Sequence, residues 1–163
     1  MMCIDSYKIA WLNLMRRSKE MANIDEIKTK YENLEQTVEV LGEEVIDSDC
    51  LLAFDYEYPE QESEIIIDTD EFTAVCPWTG LPDQGKLIIK YVPFKKLMEL
   101  KSVKYYLLSY RQVGIVQEHA ANRMLRDLVS TCRPLMMNLT LNYKSRGGLH
   151  TAVEVSYRSD SGS

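Results

Sequence analysis

Between Met137 and Tyr157 the chain alternates apolar and polar residues in two runs, separated by Ser145-Arg146-Gly147-Gly148. Met137, Leu139, Leu141 and Tyr143 share one face of the first run, and Leu149, Thr151, Val153, Val155 and Tyr157 share one face of the second. Period-two alternation on both sides of a Gly-Gly turn specifies an antiparallel hairpin with one buried face. That face needs a cover, and the preceding residues supply it. Over 99–111, Val103, Tyr106, Leu107 and Tyr110 stand at helical spacing, and Gly114 ends the pattern. Over 116–132, Ala121, Met124, Leu125, Leu128 and Val129 form a second helical face, with Pro134 just beyond its end.

Upstream, the periodicity is again that of strands. Residues 51–58 and 64–68 read as strands, and Gly85–Val92 reads as one closed by Pro93. Strands, two helices, then two strands predict an α+β domain: an antiparallel four-stranded sheet with two helices on one face. Residues 1–45 are expected as an N-terminal helical extension. There Ile4, Ile9, Trp11, Leu12, Leu14 and Met15 form an apolar stretch, and Ile24, Ile27, Tyr31 and Leu34 recur at helical spacing. Residues 46–158 are expected as the α+β domain and 159–163 as a disordered tail. A sheet covered on one side leaves edges and a face to manage, which oligomerisation can do.

Charge narrows the function classes. The net charge is −6, whereas a free-standing nucleic-acid or anionic-membrane binder needs a basic surface. No apolar run reaches the roughly 18 residues of a membrane span, and the N-terminus lacks the pattern of a signal peptide. A cytoplasmic protein is the expectation. The four cysteines include no CxxC pair and there are only two histidines, so free thiols and no metal centre are expected.

Cys76 stands apart from the other three. It lies in a Pro- and Gly-rich loop, Cys76-Pro-Trp-Thr-Gly-Leu-Pro-Asp83, between strands. Nucleophilic chemistry needs the thiolate, so a neighbour must take the proton, and a turned loop can return the Asp83 carboxylate to the sulfur. An inert small hydrophobe is the other reading of such a cysteine. Lys101 and Lys104, three apart at the start of a helix, suit a phosphate or form a solvated charged face. Arg146 reads the same two ways. Gly147 serves the hairpin or lets a ligand approach the backbone. Glu118 complements a helix N-terminus or accepts from a purine-like pair of N–H groups.

Taken together, these segments resemble one family. Phe72-Thr-x-x-Cys76-Pro-x-Thr-Gly-x-Pro-Asp83, Glu99-Leu-Lys-Ser-Val-Lys-Tyr-Tyr106, Tyr110-Arg111, Glu118 and Arg146-Gly-Gly are similar, in order and spacing, to the short form of the 7-cyano-7-deazaguanine reductases. These are nitrile reductases of queuosine biosynthesis, a tRNA-modification pathway, and they have the tunnelling fold. The resemblance covers roughly residues 50–158. It implies that Cys76 adds to the nitrile carbon to give a covalent thioimide, with Asp83 shuttling protons. It implies that Glu118 binds the deazaguanine edge, helped by Glu99 and the Leu100 backbone. Lys101, Lys104, Arg146 and Gly147 would hold the phosphates of NADPH. It also implies a homo-oligomeric ring, commonly a decamer of two stacked pentamers, with sites at subunit interfaces.

One position departs from the pattern. Many members of the family carry His before the substrate glutamate; here it is Gln117, and His119 follows instead. Glutamine can hydrogen-bond a purine edge but does not titrate. Two other readings stand beside the reductase. One resembles an archaeosine synthase of the reductase-like type, in which ammonia attacks the thioimide on a modified tRNA without NADPH. The other is a non-catalytic tunnelling-fold binder or assembly protein.

Overall fold

The computed structural model describes residues 39–61 and 63–160. The chain divides into two units, Met1–Thr37 and Val38–Ser163, and every described residue belongs to the second. Of the helical extension expected over residues 1–45, residues 1–38 lie outside the described residues, and residues 39–45 hold no α-helix, only a 3₁₀ turn at Glu43–Val45; positions 161–163 of the expected tail also lie outside them.

The described chain is an α+β arrangement with antiparallel sheets. Short 3₁₀ turns at Glu43–Val45 and Ser48–Cys50 lead into β1 (Ala53–Asp55), β2 (Ile65–Val75), β3 (Pro82–Val92) and β4 (Lys96–Met98). Then follow α1 (Leu100–Leu108), α2 (Gln117–Cys132), β5 (Met136–Tyr143) and β6 (Ala152–Arg158). Strands β2-β3-β5-β6 form one antiparallel sheet in that order, and β1 pairs with β4 in a separate ribbon.

The register shows why these sequences pair. Leu87 faces Leu141, Ile89 faces Leu139, and Tyr91 faces Met137; Leu139 and Leu141 in turn face Val155 and Val153. All the apolar partners therefore fall on one face, and a slip of one residue would turn the whole set outward. Helix α2 contacts β5 and β6 and buries Ala120, Ala121, Met124, Leu128 and Cys132. Helix α1 contacts β2 and buries Val103 and Tyr106.

Local chemistry sets the helix ends. The Glu99 carboxylate caps α1, accepting from Lys101 N (3.0 Å) and Ser102 N (2.7 Å). Arg133, at φ 46°, ends α2 in the left-handed conformation, and Pro134 prevents its resumption.

A β-bulge in β2 matters most for the site. Thr69 pairs with Leu87 and Phe72 with Gly85, so β2 spends one residue more than β3 over that stretch. Before the bulge Ile65 and Ile67 point towards the core; after it Phe72 and Ala74 do. The inserted residue thus changes the parity that carries on to Cys76. Without it, Cys76 would project from the opposite face.

Candidate active site

Cys76 follows the last residue of β2 and begins the loop to β3. Its N–H donates to Leu81 O (2.9 Å), and its carbonyl accepts from Gly80 N (2.8 Å). Gly80 sits at φ 67°, where a Cβ is strained, so the loop is a closed clasp that favours glycine at this point. Asp83 is not in a loop, as its prolines suggested, but is the second residue of β3, opposite Ala74. Pro82 is tolerated because it is the first residue of that strand. Cys76 and Asp83 therefore share the inner face of one hairpin. Cys76 is only 5 % exposed.

A cleft of about 390 Å³ opens over this pair. Its lining includes Cys76, Trp78, Asp83, Gln117, Glu118, Lys144 and Arg146. Gln117 and Glu118 come from the first turn of α2, and Gln117 stands one turn before Ala121, on the helix face turned to the sheet. Lys144 and Arg146 come from the β5–β6 connection. There Arg146 and Leu149 exchange two backbone bonds of 2.9 Å around Gly147 (φ 56°) and Gly148 (φ 81°), the two-residue turn expected from the Gly-Gly signal.

The electrostatics separate Cys76 from Asp83. The Cys76 thiol is pulled below its ordinary pKa, chiefly by a hydrogen bond from the Thr79 side chain. The backbone N–H groups of Trp78 and Thr79 and the charge of Arg146 act the same way, against the opposing effect of burial. Burial pushes the Asp83 carboxyl up, more than Arg146 and a hydrogen bond from the Gln117 side chain pull it down. The other two described cysteines behave oppositely. Burial raises Cys132 to about 11, and burial with the nearby Asp47 charge raises Cys50. All three are unpaired thiols, but only Cys76 is shifted towards thiolate.

Arg146 Nη1 lies 2.5 Å from Asp83 Oδ1. No hydrogen bond is aligned on that oxygen, so the contact is an ion pair of close charges rather than a locked fork. Glu118 is exposed at the cleft rim, where its carboxylate also complements the positive end of α2.

Glu99, Leu100, Lys101 and Lys104 are not among the residues lining this cleft. The Glu99 carboxylate is engaged in capping α1. Lys104 Nζ reaches Glu71 Oε2 at 3.8 Å, and Lys101 Nζ lies 6.0 Å from the centre of the Tyr105 ring. Leu100 and Lys104 line a separate, mainly apolar cavity of about 230 Å³ with Ile67, Val103, Leu107 and Arg111.

Lys144, Trp78 and Leu149 belong to the cleft and were not singled out from the sequence. Lys144 directly follows the last strand residue, Tyr143, and donates from Nζ to Gln84 Oε1 (3.0 Å). The run of basic residues towards the Gly-Gly turn was the available signal for it. Trp78 and Leu149 are 81 % and 78 % exposed and give the cleft a partly apolar lining.

A phosphorylated cofactor fits this donor set. Lys144 and Arg146 supply cations, and no atom comes within 4 Å of where a Cβ would stand at Gly147 or Gly148, so a ligand can approach that backbone. Among the described residues no cluster of His, Cys, Asp and Glu is arranged to hold a metal.

Comparison with known proteins places this arrangement. Residues 82–161 match the family model described as QueF-like protein. The chain is 50% identical over 126 residues to the NADPH-dependent 7-cyano-7-deazaguanine reductase of Caldanaerobacter subterraneus subsp. tengcongensis, covering 77% of this chain and 94% of that one. It is 52% identical over 119 residues to the protein of that name from Caldicellulosiruptor bescii, covering 73% and 91%. Among solved structures, an archaeosine synthase QueF-Like in the apo form superposes with a TM-score of 0.55 at 21% identity, over 59% of this chain and 94% of that one. That last likeness is one of fold.

Proposed function

The chain belongs to the QueF-like protein family, and from that premise we propose that it reduces the nitrile of 7-cyano-7-deazaguanine to the aminomethyl group with NADPH, for queuosine biosynthesis. One observation carries the reading: an acidified thiol and a carboxyl of raised pKa share a hairpin face in one cleft.

The chemistry follows from that pair. Cys76 thiolate attacks the nitrile carbon, and a carbon–sulfur bond forms as one carbon–nitrogen π bond breaks. The electron pair moves to nitrogen, which takes the proton of Asp83, and a neutral thioimide results. The productive state is therefore thiolate beside carboxylic acid. At neutral pH an unperturbed pair would hold the proton on sulfur, and the surroundings of Cys76 and of Asp83 both favour moving it to the carboxyl. NADPH supplies the two hydride equivalents that complete the reduction. Asp83 can return protons to nitrogen and finally to the thiol as the sulfur is released.

The remaining roles extend the same reading. Glu118 accepts from the N–H edge of the deazaguanine, and Gln117 adds a hydrogen bond there while holding Asp83. Arg146, Lys144 and the open Gly147 backbone receive cofactor phosphate. Lys101 and Lys104, with Glu99 and Leu100, serve the site of a neighbouring copy. This agrees with the tunnelling fold, whose four-stranded sheets and paired helices assemble into rings. No helix among the described residues is long and apolar enough to cross a membrane, and we place the reaction in the cytoplasm. Relatives near 50% identity favour reduction over amidine formation, because the archaeosine synthase likeness rests on 21% identity.

The test is to mix the protein with 7-cyano-7-deazaguanine and NADPH and follow the nicotinamide absorbance. Two NADPH oxidised per nitrile consumed is the expected result. A covalent adduct without any NADPH oxidation would refute the reductase reading.

A further inference from the structure

The ion pair between Arg146 and Asp83 is asymmetric. The Asp83 side chain is 3 % exposed and fixed in a strand, whereas the Arg146 side chain is 40 % exposed and stands on a turn. The contact is close at 2.5 Å yet has no aligned hydrogen bond on the acceptor oxygen. Beyond it, Gly147 and Gly148 have open space on their Cβ sides. A guanidinium so placed can leave a carboxylate for another anion at little geometric cost, while the carboxylate cannot follow.

The reading above assigns Arg146 two partners it cannot serve equally: the carboxyl that must carry a proton, and the cofactor's phosphate. While Arg146 sits on Asp83 it favours the ionised carboxylate, which cannot donate. We propose that Arg146 is a movable counter-ion that leaves Asp83 for a phosphate of the nicotinamide cofactor, so that cofactor binding leaves Asp83 better able to keep the proton it donates. The inference rests on the assignment of Cys76 and Asp83 made above.

The other groups facing Asp83 do not cancel this effect. Gln117, from α2, contributes a neutral hydrogen bond. Tyr143, from β5, is pushed above its ordinary pKa by burial and stays uncharged. Lys144 is engaged by Gln84, and Glu118, from α2, is exposed at the rim of the cleft. Cys76 depends on Arg146 less than Asp83 does. Arg146 is the main charge drawing Asp83 down, but it contributes least among the causes acting on the thiol, which Thr79 dominates. Departure of Arg146 therefore raises the acid while largely sparing the thiolate.

The experiment measures the rate of adduct formation at Cys76 against pH by intact-protein mass, using the nitrile alone or with NADP⁺, which cannot reduce it. Formation needs protonated Asp83, so the rate falls as pH rises through the Asp83 pKa. NADP⁺ should move that alkaline limb upward by about one pH unit or more, the size expected when an opposite charge leaves a carboxyl. Arg146→Met should show the raised limb without NADP⁺, and Arg146→Lys should keep the wild-type response. A wild-type limb unmoved by bound NADP⁺, or an Arg146→Met limb matching the unliganded wild type, overturns the proposal. If Arg146→Met does not fold, the wild-type comparison alone decides. No adduct under any condition would instead remove the assignment of Cys76, and this inference with it.

Discussion

Cys76 donates its N–H to Leu81 O at 2.9 Å, closing the turn that joins β2 to β3. This one bond sets the compass of the loop. It returns the chain within six residues, so the Thr79 side chain can hydrogen-bond the sulfur while Asp83 enters β3 on the same face.

Replacing Thr79 by Val tests the origin of the thiol's acidity. The hydroxyl stabilises the thiolate, so its loss raises the thiol pKa. One hydrogen bond to a charged group amounts to ~1.5 kcal/mol, or about tenfold less thiolate at neutral pH. Alkylation by iodoacetamide, followed against pH, should slow by that factor near pH 7 and recover in alkali. An unchanged profile would assign the acidity to the backbone N–H groups and Arg146.

Gln117→Leu separates hydrogen bonding from burial at Asp83. The glutamine side chain favours the ionised carboxylate, and removing it leaves burial less opposed. The Asp83 pKa then rises, and the alkaline limb of adduct formation moves to higher pH. A limb that moves lower would mean that Gln117 is not a donor to Asp83.

Asp83→Asn preserves shape but cannot carry the proton. Loss of a positioned general acid costs about 10²–10⁴-fold, so NADPH oxidation should fall by that range. Binding of the nitrile, followed by quenching of tryptophan fluorescence, should persist. Activity within threefold of wild type would exclude Asp83 as the proton carrier.

Tyr106→Phe addresses stability away from the site. The Tyr106 hydroxyl lies 2.7 Å from that of Tyr110 and donates to Asp127 Oδ2 at 2.8 Å, in a fully buried position. Removing it takes the partner from the Tyr110 hydroxyl and one donor from Asp127, which keeps its contacts with Arg123 and Arg126, at a cost of about 1–3 kcal/mol. Urea unfolding at fixed protein concentration should show the loss, while the pH profile of Cys76 alkylation stays in place.

How far the sequence reveals this design depends on where local pattern and tertiary structure agree. The β5–β6 hairpin and the apolar face of α2 are legible because their periodicity holds over Met137–Tyr143, over Val153–Tyr157 and from Ala121 to Val129, whereas Leu149, expected on the same strand face, is exposed in the connection before β6. Strand β2 is not, because the bulge between Thr69 and Phe72 interrupts alternation just where the strand seems to end at Asp68. Asp83 reads as a loop residue because Pro82 and Gly80 flank it, yet both are compatible with a hairpin that pairs at once. The three residues of β4 are too few to show a period. Cys76, Asp83, Gln117, Glu118 and Arg146 do meet in the cleft, a convergence set by strand order and the first turn of α2. Lys101 and Lys104 satisfy the same motif logic but line no part of it in their own chain. Motif spacing alone does not tell which of the motif residues line one cleft.

The central claim is that Cys76 bonds to the nitrile carbon, and the mass of the intact protein after incubation with 7-cyano-7-deazaguanine reads this directly. The account predicts a gain equal to the whole mass of the nitrile, since addition expels nothing. The gain should be absent in Cys76→Ala and should disappear from the wild type when NADPH is added. An adduct that persists in Cys76→Ala, or NADPH oxidation by that variant at the wild-type rate, would contradict it.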